Sequence, residues 1–321
     1  PSVIKQSMYV MPGSLFNVTN TELSQSHLIA LKNHRLVSVG YVENANPKDS
    51  VNREGSLNCI VQLTPMTRQA YTIELEGTNS SGNLGGAVNL IYSNKNLFRG
   101  AENLNIKLKG AYETLTEHIA GFKNSMEYGV EATLSLPKFL TPYLSKENFI
   151  KNHDPKTVLQ LGYSHQKIPV YIKTVANFSA GYSWKGGKYT ERTLNPVYID
   201  IVNLPFIDST FRAKVNTTSY LADSYRNMMI FGGNYTYVFN NQKIQNSRDY
   251  WYIRMSLNAA GNLLYLAYKA EGRQKSDTSS YKLFGQDFAQ YVKGEADISY
   301  HRKLNEVSSI VYRAFAGVGF P

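Results

Sequence analysis

Met126-Glu127-Tyr128-Gly129-Val130-Glu131-Ala132-Thr133-Leu134-Ser135-Leu136 alternates without a break. In an extended chain, successive side chains point to opposite faces. Met126, Tyr128, Val130, Ala132, Leu134 and Leu136 therefore make one apolar stripe, and Glu127, Gly129, Glu131, Thr133 and Ser135 make the other face. The pattern recurs. Tyr71, Ile73 and Leu75 alternate with Thr72, Glu74 and Glu76; Leu104, Ile106 and Leu108 with Asn105, Lys107 and Lys109. Ala176 to Trp184 and Val292 to Tyr300 follow the same rule. Strands of soluble sandwiches usually run about five or six residues, and these runs are longer. A tilted strand of about nine to eleven residues crosses a bilayer. The polar face carries ions and the apolar face is broad and aromatic. The expected fold class is mainly β, an antiparallel transmembrane β-barrel. A soluble β-domain, which also alternates, is the alternative.

Extending this reading places eleven strands, near 70–79, 84–94, 103–115, 123–136, 156–166, 172–185, 190–204, 226–239, 248–261, 287–303 and 307–320. Short turns follow the second, sixth and tenth. Longer polar loops follow the seventh (205–225) and the ninth (261–286). Outer-membrane barrels put long loops outside and short turns in the periplasm. With residue 70 at the periplasm, odd strands run outward and both long loops fall outside. The long segment 137–155 then falls on the periplasmic side, against the rule. This orientation also sets Trp184 and Trp251, with Tyr182 and Tyr250 beside them, at the periplasmic interface, where an aromatic girdle belongs.

The 321 residues include 34 Lys and Arg against 24 Asp and Glu, a formal charge of +10. The basic residues are scattered, with no run of five, so no nucleic-acid partner is expected. With 24 Tyr and 14 Phe, a disordered chain is excluded. One cysteine, Cys59, excludes an internal disulfide framework and a cysteine zinc cluster. On the apolar side of a strand, it reads as an inert core residue. The longest apolar run, Leu263-Leu264-Tyr265-Leu266-Ala267-Tyr268, is far short of the roughly eighteen residues of a membrane helix.

Residues 1–69 differ from the rest. Ser2 to Met11 puts Val3, Ile4, Ser7 and Met8 on one helical face, and Pro12-Gly13 stops the helix. Thr19 or Asn20 is the expected cap of a second helix carrying Leu23, His27, Leu28 and Leu31. Leu36 to Val42 and Leu57 to Leu63 read as strands, separated by a polar loop at 44–55. Two strands under two helices make a thin core.

Glu74-Leu75-Glu76-Gly77-Thr78-Asn79-Ser80-Ser81-Gly82-Asn83-Leu84-Gly85-Gly86, followed by Asn96-Leu97-Phe98-Arg99-Gly100-Ala101-Glu102, resembles the opening of the barrel in the BamA/TamA superfamily of outer-membrane assembly proteins. The likeness is nearest to TamA-like lipoproteins of the Bacteroidetes type. Pro12-Gly13-Ser14-Leu15-Phe16-Asn17 looks like the helix-to-helix turn of a POTRA domain. Ala260-Gly261-Asn262, Leu283-Phe284-Gly285 and Gln290-Tyr291-Val292-Lys293 add to the resemblance, as does Tyr312 to Pro321, which looks like the strand leading into the family's inward-folded loop. The resemblance implies the end of a periplasmic POTRA domain at 1–69 and part of a surface-antigen-type barrel at 70–321, sixteen-stranded in the family. It implies a Gram-negative outer-membrane location, and as partners the lipid bilayer, client outer-membrane proteins and periplasmic or lipoprotein accessory subunits. It also implies a lateral gate at the first strand (Tyr71, Ile73, Glu74, Leu75, Glu76, Gly77) and a signature turn (Asn96, Phe98, Arg99, Gly100, Glu102).

Nothing in the sequence suggests an enzyme, a cofactor or a metal. None of the six histidines pairs at zinc-helix spacing, and no Gly-x-Ser-x-Gly elbow or Walker loop is present. Glu74 with Glu76, and Glu127 with Glu131, read as ordinary lining of a watery lumen. Gly77, Gly85 and Gly86 are expected to ease bending of the first strands. The functional expectation is assembly, insertion or translocation of other outer-membrane or surface proteins through the gate. The alternative is a polypeptide-secretion pore of the two-partner type or a passive transport barrel.

Overall fold

A computed structural model describes residues 2–43, 56–80, 83–119, 122–140, 147–217, 222, 224–242, 249–270, 282–283, 286–305 and 307–320. The head begins with helices α1 (Ser2–Gln6) and α2 (Val18–Ala30), then strands β1 (His34–Glu43) and β2 (Leu57–Pro65), which pair antiparallel. The order matches the sequence pattern. The cap does not: Asn17 starts α2, its Oδ1 accepting from the N–H groups of Thr19 and Asn20. An asparagine side chain one turn earlier reaches the orphan amides, so Thr19 and Asn20 are already inside the helix. Leu28 and Val37 are buried where α2 lies on β1. Cys59 is exposed, contrary to the expected core position. The helix covers β1, and most of β2 has no layer over it. The polar loop expected at 44–55 lies outside the described residues.

The remainder is one antiparallel sheet of eleven strands: β3 (Gln69–Ser80), β4 (Asn83–Lys95), β5 (Asn103–Ile119), β6 (Phe122–Leu136), β7 (Lys156–Ile168), β8 (Tyr171–Gly187), β9 (Thr190–Ile207), β10 (Met228–Asn240), β11 (Tyr250–Ala260), β14 (Tyr291–Lys303) and β15 (Ser309–Phe320). Between β11 and β14 lie two-residue strands, β12 (Lys282–Leu283) and β13 (Gln286–Asp287). Every strand of the large sheet pairs with its neighbours in this order, so the sheet is a meander ending on β3 and β15.

The register keeps the two faces apart. Ile73, Leu90, Leu108, Val130, Tyr163, Ala176, Ile201 and Met229 form one continuous rung across eight strands. The neighbouring rung runs Thr72, Ile91, Lys107, Glu131, Gly162, Asn177, Asp200 and Ile230. A one-residue slip would exchange the two faces everywhere, so the register is strongly specified. The apolar face is largely bare, with Leu108, Leu161 and Leu257 all exposed. A soluble monomer rarely exposes an apolar patch above a few hundred Å². The described residues place no second sheet over this face, which removes the sandwich alternative.

Strands β3, β5, β7, β9, β11 and β15 run away from the head, as expected. The long connections 208–227 and 261–290 lie at the far end. They are not simply polar loops: the first contains α4 (Ser209–Asn216), and the second opens with an apolar helix, α5 (Asn262–Ala270). Phe284 and Gly285 of the resemblance lie outside the described residues. The segment at 137–155, which broke the loop rule, carries α3 (Glu147–His153) at the head end. The Tyr9 hydroxyl donates to the carbonyl of Lys151. This connection is long because it forms part of the seat for the head.

On the polar face, Tyr198, Gly232, Ala260 and Tyr291 share one rung of β9, β10, β11 and β14. The two tyrosines lean over the small residues between them, and their hydroxyls meet at 2.9 Å. A Cβ on Gly232 would come within 2.9 Å of Ala260 Cα and 3.0 Å of Tyr198 Cε1. Gly294, on the other face, has open space. Gly232→Val should therefore destabilise the sheet by about 1–3 kcal/mol through overpacking, whereas Gly294→Ala should be near neutral. Thermal unfolding in detergent, followed by circular dichroism, checks both.

Candidate functional site

The first strand of the sheet, β3, pairs with β4 along its whole length, Gln69 with Asn94 through Ser80 with Asn83. Among the described residues no strand pairs with its other edge. A strand edge of twelve residues presents a row of N–H and C=O groups in a template geometry. Tyr71, Ile73 and Leu75 are 76%, 68% and 77% exposed, above Leu161 at 59% and Leu108 at 47% within the sheet. Gly77 has open space around it. The other face of the strand is held in place: Asn89 Nδ2 donates to Glu76 Oε1 at 2.9 Å and lies 3.5 Å from Glu74 Oε2. The two carboxylates share one amide, which orders them as a wall lining.

Gly85 acts otherwise than expected. Its added Cβ would meet Tyr112 O at 2.6 Å and Thr78 Oγ1 at 2.7 Å. The residue permits close approach of β3, β4 and β5 and does not loosen them.

Further polar pairs tie the same face. Lys109 Nζ meets Glu127 Oε1 at 2.8 Å, and Gln160 Nε2 donates to Glu131 Oε1 at 2.9 Å. At the other edge Arg313 forms a fork on Asp297, Nε to Oδ1 at 2.9 Å and Nη2 to Oδ2 at 2.6 Å. These groups share the polar face of the wall, and none is a metal-binding cluster among the described residues.

The signature turn, 96–102, joins β4 to β5 at the head end. Asn96, Arg99 and Ala101 adopt positive φ values of 71°, 66° and 65°. Each such residue costs on the order of 1–2 kcal/mol. The compensation is a buried carboxylate. Glu102 Oε2 accepts from the N–H of Phe98 at 3.0 Å and of Gly100 at 2.9 Å, and Asn96 Oδ1 accepts from the N–H of Ala101 at 3.0 Å. Arg68, in the link from head to sheet, donates to the Asn96 carbonyl, and its own carbonyl accepts from the Lys95 N–H. Asn96, Gly100 and Glu102 thus build the turn and clamp the head to the sheet, while the Phe98 and Arg99 side chains stand exposed. Next to the clamp, a cavity of about 200 Å³ lies between the C-terminal end of α2 (Ala30, Leu31, Lys32) and the polar face of the sheet (Lys95, Asn103, Lys156). Three lysines give this mouth a basic lining.

Comparison with solved structures finds this architecture in CdiB from Escherichia coli, with a TM-score of 0.52 at 11% identity, covering 99% of this chain and 52% of that one. The two share a fold. This chain spans about half the length of that protein. BamA from Haemophilus ducreyi lacking POTRA domains 1-3 (TM-score 0.28, 10% identity, 99% of this chain and 82% of that chain) and CdiB from Acinetobacter baumannii (0.32, 10%, 99% and 68%) also match. No protein-family model matches this chain, and no curated protein does. With the strand order, the likeness to CdiB makes the sheet the wall of an antiparallel β-barrel fold.

The proposed girdle residues divide. Tyr182, Trp184 and Trp251 have the apolar-face register, all at the head end of the wall. Phe139 packs edge-on against Tyr182 and Trp184, with ring centroids 5.1 and 6.0 Å away, so the 137–155 connection covers them. Trp251 remains open and lies beside Tyr300. Tyr250 lies on the polar face, stacked on His301 at 4.2 Å. Adjacent strand residues face opposite ways, so a Tyr-Trp pair in sequence cannot put both rings in one belt.

Sequence reasoning did not find the seat of the head. Tyr9 packs edge-on against His27, with its hydroxyl 3.3 Å from His27 Nε2, and Ser24 Oγ accepts from the Tyr9 N–H at 2.8 Å. Burial holds the His27 imidazole below the usual histidine range, with Asp154 opposing the shift and Lys185 adding to it. The neutral ring is the form this contact favours. No periodicity marks such a contact, since its partners are far apart in sequence.

Glu102→Ala removes the acceptor for two amides in a strained turn and should cost about 2–3 kcal/mol locally. Tryptic cleavage after Arg99 should then speed up by more than about tenfold, while Phe98→Ala leaves the rate unchanged.

Proposed function

We propose that this chain is part of a Gram-negative outer-membrane β-barrel that inserts or translocates other polypeptides by offering its first strand as a template. The place of β3 carries this reading: it is the first strand of the wall, it follows the head directly, and among the described residues nothing pairs with its outer edge. A strand cannot enter hydrocarbon with unpaired N–H and C=O groups, each costing several kcal/mol. Pairing an incoming strand with β3 satisfies those groups, as in β-augmentation. Tyr71, Ile73 and Leu75 then face lipid, and Thr72, Glu74 and Glu76 face the lumen, so the guest inherits the register of the wall.

In this reading residues 1–69 are the end of a POTRA domain, 70–321 belong to the barrel, and the chain is related to TamA-like lipoproteins. The helix–helix–strand–strand order of the head and its place at the start of β3 support the assignment. Exposed Leu36 and Val42 on β1 offer a surface for a client segment or an accessory subunit. The partners are the bilayer, client outer-membrane proteins and periplasmic or lipoprotein subunits. No residue is assigned a catalytic step or a cofactor, and folding of the client supplies the driving force.

A second reading, a secretion pore of the two-partner type, is favoured by the polar face. Its paired carboxylates, lysines and Arg313 make a continuous hydrated lining for a passing polypeptide. A photo-crosslinker at Ile73 or Leu75 separates the two. Adducts with nascent barrel strands are expected. Adducts absent there, but formed with an unfolded polypeptide from polar-face positions such as Glu131, would support the pore and contradict the template.

A further inference from the structure

At the far end of the wall, α5 lies on the apolar face. Its Leu264 and Tyr268 pack with Met229, Phe288 and Ile199. Ile199 and Met229 have the apolar register of β9 and β10. Gly261, at φ 73°, turns the chain out of β11, and its amide donates to the Phe231 carbonyl at 2.8 Å. Asn262 Nδ2 then donates to the carbonyls of Ala260 and Tyr291, fixing the start of the helix to β11 and β14. The helix is therefore built onto the outer surface of the wall.

Successive residues of a helix step by about 100°, so α5 has three sides. Leu264 and Tyr268 face the sheet. Leu263, Leu266, Ala267 and Ala270 make a second, apolar side, and all four are exposed, Leu263 to 74% and Leu266 to 59%. Asn262 and Lys269 make the third side, a narrow polar strip that also points away from the sheet. A surface helix in water carries polar residues on its outer side. This one carries leucines. From Trp251 to Ala260, β11 rises nine residues, about 23 Å along the normal at about 3.4 Å per residue and a tilt of about 40°. The apolar band of such barrels is about 25 Å tall. The start of α5 thus falls at the outer boundary of that band.

We propose that α5 is an interfacial helix, seated in the outer boundary of the bilayer, with Leu263 and Leu266 among acyl chains and Lys269 at the headgroups. The exposed leucines continue the apolar face of the wall, and that continuity names lipid as the occupant. The inference rests on the wall reading above. It adds an attachment of α5 to the membrane surface beside β9 and β10. A long basic side chain at the edge of such a helix reaches the headgroup layer while its stem stays apolar.

The test uses nitroxide labels in a Cys59→Ser background, in the full chain reconstituted into phosphatidylcholine–phosphatidylglycerol vesicles. Sites 263 and 266 are compared with 257, on the bare apolar face of β11, and with 269. Collision with oxygen should exceed collision with a water-soluble nickel chelate at 257, 263 and 266, with the order reversed at 269. Lipid-like behaviour at 257 with water-like behaviour at 263 and 266 overturns the helix proposal and leaves the wall intact. Water-like behaviour at 257 overturns the wall reading, and the helix with it.

Discussion

Backbone hydrogen bonding is the constraint on which this structure depends. A sheet with a broad apolar face must pair its amides and carbonyls within itself, because hydrocarbon offers them nothing. The eleven strands do this by simple adjacency, each paired with the strands next to it in the order, with a side-chain period of two that never exchanges faces across the rung from Ile73 to Met229. What pairing leaves over is as informative as what it satisfies. Among the described residues the outer edges of β3 and β15 are unpaired, and on β3 that edge sits beside three highly exposed apolar side chains. The geometry that makes a strand edge hazardous in water makes it a template in lipid.

The rest of the chain reinforces this edge strand. Asn89 orders the carboxylates behind it, Gly85 lets its neighbours close in, and Glu102 holds a strained turn that fastens the head just before β3 begins. The head is attached at two places, through Arg68 to the turn and through Tyr9 to the α3 connection. Under the proposed function, a head fixed at the root of the first strand would stand where an incoming polypeptide arrives. At the far end, the Tyr198–Tyr291 contact over Gly232 ties four strands together on the polar face.

Much of the wall was legible because a strand with two unlike faces, one apolar and one polar, writes its orientation into every second residue. The eleven strands, their direction and the ionic lining of Glu74, Glu76, Glu127 and Glu131 all follow from that one period. The same rule was misapplied at Tyr250, which a period of two places opposite Trp251. Cys59 was misread because alternation reports a face but not whether anything covers it. The helix at 262–270 was hidden in an expected polar loop, although its apolar run stood out in the sequence. Contacts between distant segments, such as Tyr9 with α3 or Tyr198 with Tyr291, leave no periodic trace. The cap at Asn17 was missed by a few residues, the usual uncertainty of a helix end.

Amide hydrogen exchange along β3, in the protein embedded in a bilayer without client, tests the open edge most directly. The account predicts a period of two from Tyr71 to Thr78: amides bonded to β4 exchange slowly, and the alternate ones, which point to the free edge, exchange fast. Strand β7, paired on both sides, should be slow throughout. Uniform slow exchange through β3, matching β7, would mean that its outer edge is stably occupied, and would contradict a first strand held ready for a guest.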